Sequence, residues 1–422
     1  MKGSTLAAVI IVVVIVIAAG SYAVYSLTKP KSSTPSNITI GTLYASSGSY
    51  ASSSLPEYYG LQAWVNQTNA AGGLYVSSIG KKLPVKLIAY DDQSSTTTAE
   101  TQYTNLITVN HVDILVADFG SVLTSVAVPI AKEHHYVLFD PTGTGASFFV
   151  NNPYIALTSL PTSGLWPLVL GQYLQTQHSN ISKIAIVYTP NDFDASQATT
   201  LNTYLVANNI NPVYYQSTTA SSTAQYVTLL QTINSTGAQA LIEFGYPPND
   251  IAMFQALKSS NIHFDFTFTV FPGQLLSLLE SSTPSGVLNY TWTYPTPPLI
   301  QYNSGVNLGP TTAQFISEWK ANNSNVAPNF LNIAGYNAGL IIGKAITTAG
   351  SLNQTALRTA ITTISGNVTT LDGAFVVNST GAQTGETLPV GQLQPTSSGL
   401  QMIIIYPADK ATGTAVYPAP VS

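Results

Sequence analysis

From Ile38 onward the chain repeats one rhythm: a short run rich in β-branched residues, then a longer amphipathic run, then another short apolar run. The short runs are Ile38–Leu43, Val85–Tyr90, Ile114–Ala117 and Tyr136–Phe139, and they predict strands. The runs between them, Tyr58–Ala70, Thr96–Asn110 and Ser121–Glu133, predict helices. Regular strand–helix alternation predicts an α/β fold with a doubly wound, mostly parallel sheet.

A second series starts after Asn151-Asn152-Pro153-Tyr154. Its expected strands are Ile184–Tyr188, Val213–Tyr215, Ala240–Phe244 and Phe266–Val270. Its expected helices are Leu165–Thr176, Asp194–Asn208, Ala224–Thr232 and Ile251–Ser259. Two series imply two similar lobes, although no close sequence repeat is visible. The Pro- and Gly-rich stretch Tyr290–Pro310 breaks the rhythm and reads as a hinge crossing followed by a surface loop. Helical patterns return at Thr311–Asn322, Phe330–Ala349 and Gln354–Ser365, Met402–Tyr406 predicts a late strand, and Pro407–Ser422 a tail.

The N-terminus bears on compartment. Gly3–Thr28 carries no charged residue, and Leu6–Ala19 is almost entirely Val, Ile, Leu and Ala. About 20 apolar residues in a helix cross a bilayer, so 1–28 is read as a signal or transmembrane anchor and 29–36 as a Pro/Ser linker. Met1-Lys2-Gly3-Ser4 is similar to the short prepilin-type signals of some archaeal sugar-binding proteins, which would place cleavage after Gly3. An uncleaved anchor and an ordinary secretory signal remain open. Each exports the rest of the chain. Nine N-x-Ser/Thr sequons, at Asn37, Asn66, Asn180, Asn234, Asn289, Asn322, Asn353, Asn367 and Asn378, agree with a glycosylated, extracellular protein.

Charged residues make up only 7 % of the chain, against a usual share of about 25 %. Hydroxyls and amides must supply the polar surface, and these keep their character where carboxylates titrate away. The composition therefore points to an acidic habitat. A net charge of −5 with no basic stripe excludes nucleic acid as a partner. The absence of cysteine excludes disulfides, thiolate metal sites and a lipobox anchor.

Polar loops gather where the strands end. Ser46-Ser47-Gly48-Ser49-Tyr50-Ala51-Ser52-Ser53 follows the first strand, Asp91-Asp92 the second, Gly120-Ser121 the third and Asp140-Pro141-Thr142-Gly143-Thr144 the fourth. Together with the helix ending at Ala71-Gly72-Gly73, this arrangement resembles the extracytoplasmic solute-binding receptors of branched-chain amino-acid ABC transporters, the type I periplasmic binding proteins. The likeness covers roughly residues 38–290 and is looser beyond.

The resemblance implies two doubly wound lobes joined by a hinge. Lobe 1 would comprise 37–160 and about 295–385, and lobe 2 would comprise 161–294 and about 386–422. A small ligand would bind between them and pass to a permease. No cofactor is implied.

Ser121 would N-cap the helix Ser121–Glu133, whose free N–H groups and partial positive charge suit a carboxylate. An ordinary cap is the alternative, and the family resemblance favours binding. By the same resemblance the Thr144 hydroxyl would donate to a ligand carboxylate and the Thr142 carbonyl would accept from an ammonium. Ser53 stands where several receptors have an aromatic residue, which implies a wider or more polar pocket here. In the second lobe, Asn191-Asp192-Phe193-Asp194 is similar to an Asp-Tyr-Gly motif, so Phe193 would stack on the ligand without hydrogen bonding. Gly245-Tyr246-Pro247 matches the loop whose tyrosine closes over the ligand, making Tyr246 the expected lid.

One departure bears on the ligand. The loop Phe268-Thr269-Val270-Phe271-Pro272-Gly273 lacks the acid that holds an amino acid's ammonium. Asp118, Glu243 and Asp250 could substitute, though none matches by position. Short amides, urea-like solutes, peptide fragments and aromatic acids also fit such a pocket.

Catalysis finds no support. Adjacent residues of a strand point to opposite faces, so Asp91 and Asp92 do not share a substrate. His134-His135 sits at a helix end without further ligands at metal-binding spacing. No G-x-S-x-G elbow, P-loop or H-E-x-x-H is present. The sequence reads as a non-enzyme. A ligand-sensing or cell-envelope interaction protein on the same fold is the alternative, and a secreted hydrolase stands third.

Overall fold

The computed structural model describes residues 35–421, apart from 178, 303 and 304. The expected apolar anchor at 1–28 and the linker up to residue 34 lie outside the described residues. Among the described residues no helix is long and apolar enough to cross a membrane. Asn37–Ser422 forms one compact unit.

Two sheets organise this unit. The first is wholly parallel, in the spatial order Val85–Asp91, Ile38–Tyr44, Ile114–Val116, Leu138–Asp140, Ile155–Leu157. Ile40 lies opposite both Leu87 and Ile114, and Leu115 lies opposite Leu138. The second sheet places Tyr214–Ser217, Ile184–Tyr188, Ala240–Phe244, Phe266–Phe268 and Trp292–Thr293 in parallel, then adds Val390–Thr396 and Gly399–Tyr406 antiparallel at the far edge.

Numbered within each sheet by sequence, the parallel strands run 2-1-3-4-5 in both. The chain reverses direction between strands one and three, and ligands of open α/β sheets bind outside strand carboxyl ends at such a reversal. Central strands covered on both faces need continuous apolar side chains. Ile184–Val187 and Ala240–Phe244 are accordingly buried along their length.

Several expected boundaries shift. The helix expected at Tyr58–Ala70 begins at Ala51, so it absorbs the second half of the Ser/Gly loop. Pro56 stands inside it, in the second turn. The Phe266–Val270 strand ends at Phe268 and gives way to a 3-10 turn at Phe271–Gly273.

The Tyr290–Pro310 stretch requires a correction. Trp292 and Thr293 form a buried strand pairing with Phe268 on one side and with Gly391 and Gln392 on the other. Trp292 stacks on Phe266 at 4.4 Å between ring centroids. Pro and Gly punctuation hid a two-residue strand held by its neighbours rather than by its own pattern.

The helices Ala51–Ala70 and Phe330–Ala349 cross in near-backbone contact. A Cβ on Gly335 would lie 1.9 Å from the Glu57 carbonyl oxygen, and one on Gly60 would lie 2.1 Å from that of Asn332. The second helix thereby packs beside the first sheet although it follows the second in sequence.

Candidate functional site

The loops following the third strand of each sheet meet. In the first sheet this loop runs from Ala117 to Phe119, and in the second it is Gly245-Tyr246. The Ser121 N–H donates to the Tyr246 hydroxyl at 2.9 Å. Gly120 makes the approach possible, because its φ of +71° favours glycine and a Cβ there would stand 3.0 Å from the Tyr246 ring.

The Tyr246 ring is enclosed by Tyr50 and Phe193, each at 5.4 Å between centroids, by Phe119 at 5.9 Å and by Phe271 at 6.1 Å. Trp166 packs edge-on against Phe193 at 5.1 Å. Tyr50 and Phe119 come from loops of the first sheet, the others from the second sheet's side. Aromatic contacts of this geometry add about 0.5–1.5 kcal/mol per pair beyond area burial. The second sheet's apolar core continues through this cluster to Phe119, Phe330 and Leu331. A cavity of about 20 Å³, lined by apolar and aromatic residues with Gly120, Thr142, Thr144 and Gln274, remains beside the ring. That volume accommodates about one water.

Most of the expected residues converge here. The helix begins at Gly120 with Phe119 in the cap position and no side-chain cap, so Ser121 is not its N-cap. The Ser121 hydroxyl instead accepts from the Gly145 N–H at 2.9 Å and ties two loops together. The Thr142 carbonyl, expected to take an ammonium, accepts the Thr144 N–H at 3.0 Å. The Thr142 hydroxyl accepts from the Gly120 N–H and donates to Glu57 Oε2 at 2.6 Å. Thr144 Oγ1 is buried and has no partner.

Phe193 stands in the cage, its ring tilted 52° to that of Tyr246. Tyr246, the expected lid, is itself buried among these rings and lines the small cavity. Ser53 is buried in the first turn of the helix Ala51–Ala70 and does not line the cavity. The cavity is narrow and mostly apolar rather than wide or polar, and Tyr50, three residues before Ser53, packs against the Tyr246 ring without lining it. Gln274 is a further residue that pattern reasoning missed. It lines the cavity, only 5 % exposed, with Nε2 unpartnered. Its sole sequence signal is its position just after the loop that lacks an acid.

Carboxyl groups lie behind the cavity in unusual number. Glu57, Asp92, Asp118, Asp140, Asp194, Glu243, Asp250 and Asp372 are all buried. Burial pushes Asp140, Asp194 and Asp372 up to about 8 and Asp250 up to about 7. It drives Glu57, Asp118 and Glu243 well above the ordinary range, and raises Asp92. The charges acting on these groups are other carboxyls.

Two pairs, Asp92 with Asp118 and Glu243 with Asp250, are hydrogen-bonded side chain to side chain, one pair on each sheet's side. Two carboxyls in a low-dielectric interior sharing one contact must hold a proton between them. Asp118 Oδ1 also accepts from the Ser54 hydroxyl and the Phe119 N–H, each at 2.6 Å, and Asp250 Oδ2 accepts from the Phe271 N–H at 3.0 Å. The acids thus anchor the loops carrying the aromatic cage. None of the substitutes named from the sequence, Asp118, Glu243 or Asp250, lines the cavity.

Asp91 and Asp92 diverge as strand geometry requires. Asp91 binds Ser46 and Gln93, whereas Asp92 turns inward to Asp118. No group of three or more His, Asp or Glu side chains that could hold a metal occurs among the described residues.

Comparison with known proteins places this architecture. The family described as periplasmic binding protein matches residues 37–399. A leucine binding protein, LivK, from Thermotoga maritima superposes with a TM-score of 0.72 at 13 % identity, over 88 % of this chain and 99 % of its own. LivJ from Streptococcus pneumoniae, a branched-chain amino acid transporter substrate binding protein in complex with isoleucine, gives 0.72 at 16 % identity, over 87 % and 100 %. A solute binding protein of an ABC transporter from R. palustris, in complex with benzoate, gives 0.72 at 14 % identity, over 90 % and 98 %. The match over most of the chain, on a fold whose two strand-reversal points face each other, makes this protein a member of the periplasmic binding protein family.

Proposed function

We propose that the protein is a membrane-anchored, extracellular solute-binding protein. It captures a small polar ligand (an amino acid, an amide or a short peptide) between two lobes and delivers it to an ABC transporter permease. Lobe 1 comprises 37–160 and about 295–385, and lobe 2 comprises 161–294 and about 386–422. The observation that carries this reading is the contact between equivalent loops of the two sheets, Ser121 N–H to Tyr246 hydroxyl.

Ligand entry requires the lobes to part and Tyr246 to leave the Ser121 amide. The ligand's acceptor end then takes that amide and Thr144 Oγ1, and the closed form is selected by contacts made only when the lobes meet. The leucine-, isoleucine- and benzoate-associated neighbours support a small ligand bearing a carboxylate. The apolar N-terminal run and the sequons support export and tethering. No catalytic role is assigned.

A thermal-shift screen against amino acids, amides, short peptides and aromatic acids tests the reading. A ligand at about 100 times its Kd stabilises by roughly 2.7 kcal/mol. A flat response across the whole panel counts against solute capture.

The filled cleft favours one second reading, a ligand-sensing or cell-envelope interaction protein held closed by Tyr246. Deletion separates the two. Loss of solute uptake supports transport, and intact uptake with an altered response supports sensing.

A further inference from the structure

The chemical class of the solute follows from what lines the cleft, an inference that rests on the solute-binding reading above. Tyr246 holds a phenol ring inside a cage of other rings, with its oxygen on a backbone N–H. Next to that ring, two polar side-chain atoms are buried without partners. Thr144 is 1 % exposed and its Oγ1 is unpaired; Gln274 is 5 % exposed and its Nε2 is unpaired. Both residues line the same small cavity as Tyr246. A buried donor without an acceptor is costly, and a native site that keeps two of them awaits something that accepts.

The groups a solute would meet here can all donate: the Thr144 hydroxyl and the Gln274 amide nitrogen are unpartnered, and the Ser121 N–H is held by the Tyr246 hydroxyl that a solute would displace. The acceptors named beside them each already take at least one hydrogen bond. The Thr142 carbonyl takes the Thr144 N–H, Glu57 Oε2 takes the Thr142 hydroxyl, and the Thr144 carbonyl takes the Ser163 N–H and hydroxyl. No Asp or Glu among the described residues lines the cavity. An α-amino acid would bring an ammonium, a donor-only cation, to a lining that holds no carboxylate to accept from it. A flat ring ending in a carboxylate brings two acceptor oxygens and a body of the same shape as the Tyr246 side chain.

We propose that the solute is a small aromatic monocarboxylate. It displaces the Tyr246 ring from the cage and sets its carboxylate on the Ser121 N–H, the Thr144 hydroxyl and the Gln274 amide. Tyr246 then acts as a resident stand-in for the solute that keeps the cage filled in its absence. Gln274 is the residue that reads the carboxylate from the second sheet's side.

The test titrates benzoate, phenylalanine and leucine into the full-length protein by calorimetry, with Trp166 fluorescence as a second readout. Benzoate is expected to bind at least about tenfold more tightly than either amino acid. Tyr246→Ala, which vacates the cage, is expected to bind benzoate about tenfold more tightly than the wild type. Thr144→Val and Gln274→Leu are each expected to weaken benzoate binding by about tenfold with unchanged circular dichroism. Should Tyr246→Ala fail to fold, Tyr246→Phe keeps the ring and frees the Ser121 N–H, and is expected to bind benzoate about fivefold more tightly than the wild type. Phenylalanine or leucine binding as tightly as benzoate overturns the aromatic-acid class and leaves solute capture standing. No binding of any of the three, by the wild type or by the Tyr246 variants, overturns the aromatic-acid class, and solute capture falls with it only if the wider panel of amides and short peptides is flat as well. Benzoate binding unaffected by Thr144→Val and Gln274→Leu overturns the assignment of the carboxylate end.

Discussion

Ser121 and Tyr246 occupy the same place in two different sheets, each just beyond the third strand where the chain reverses direction, and they are joined by a 2.9 Å hydrogen bond. The contact links 125 positions of sequence separation. It brings a helix amide, the natural seat of an anion, against a phenol oxygen.

Removing only that hydroxyl separates its contribution from that of the ring. Tyr246→Phe is expected to lower stability by about 1 kcal/mol, the usual net worth of one buried hydrogen bond. Tyr246→Ala is expected to cost about 3–5 kcal/mol by leaving a ring-sized hole. Urea unfolding of both variants checks the ratio. Equal losses would mean that the aromatic packing is not what holds the junction.

The buried acids set the pH dependence. In the folded state Asp140, Asp194 and Asp372 sit at about 8 and Asp250 at about 7, against an ordinary value of 3.8. Folded values above unfolded ones mean that the native state holds more protons between about pH 4 and 8. The associated stability is fully present below the unfolded value and is lost as pH rises through the folded values. Each group still titrating contributes a slope of about 1 kcal/mol per pH unit. The urea midpoint is expected to fall steadily from pH 4 to pH 8.5. A midpoint that rises over this range contradicts the prediction.

Glu243→Gln isolates one pair. Tyr226 donates to Glu243 Oε1 at 2.9 Å, and the glutamine oxygen keeps that bond while its amide donates to Asp250. The variant is expected to unfold at a higher urea concentration than the wild type at pH 8 and to match it within about 1 kcal/mol at pH 4. Unfolding curves at the two pH values decide the matter.

Gly335→Ala tests the helix crossing. Its Cβ has no room against the Glu57 carbonyl, so the helices must separate. The expected cost is about 3 kcal/mol or more, at the upper end of overpacking losses because backbone rather than a side chain must move. Gly366→Ala, where a Cβ would meet nothing within 4 Å but φ is +75°, serves as a control that isolates backbone strain.

Much of the fold was legible because its signals are local. Ile184–Tyr188, Ala240–Phe244 and Phe330–Ala349 stand where their periodicity places them. The strand Trp292–Thr293 was not legible, since two residues carry no periodicity and their pairing depends on strands about 25 and 100 positions away. The loops around Ser121, Thr144, Phe193 and Tyr246 could be found because turn and cap residues punctuate strand ends. Tyr50 and Gln274 could not, because nothing local distinguishes an aromatic packed on Tyr246, or a cavity-lining amide, from a surface one.

By itself, the amino-acid order determined the alternation of strands and helices, the polar loops at strand ends, the shortage of charge and the lack of an acid in the loop before Gln274. All of these are properties of neighbours along the chain. Only the tertiary structure decided that the Tyr246 ring is caged by Tyr50, Phe119, Phe193 and Phe271, that the Ser121 amide meets Tyr246 while its hydroxyl meets Gly145, and that Asp92 lies against Asp118 and Glu243 against Asp250. Those outcomes depend on which distant groups are left facing each other once water is excluded, where an unmatched donor or charge must find a partner, give up its charge or wait for a ligand.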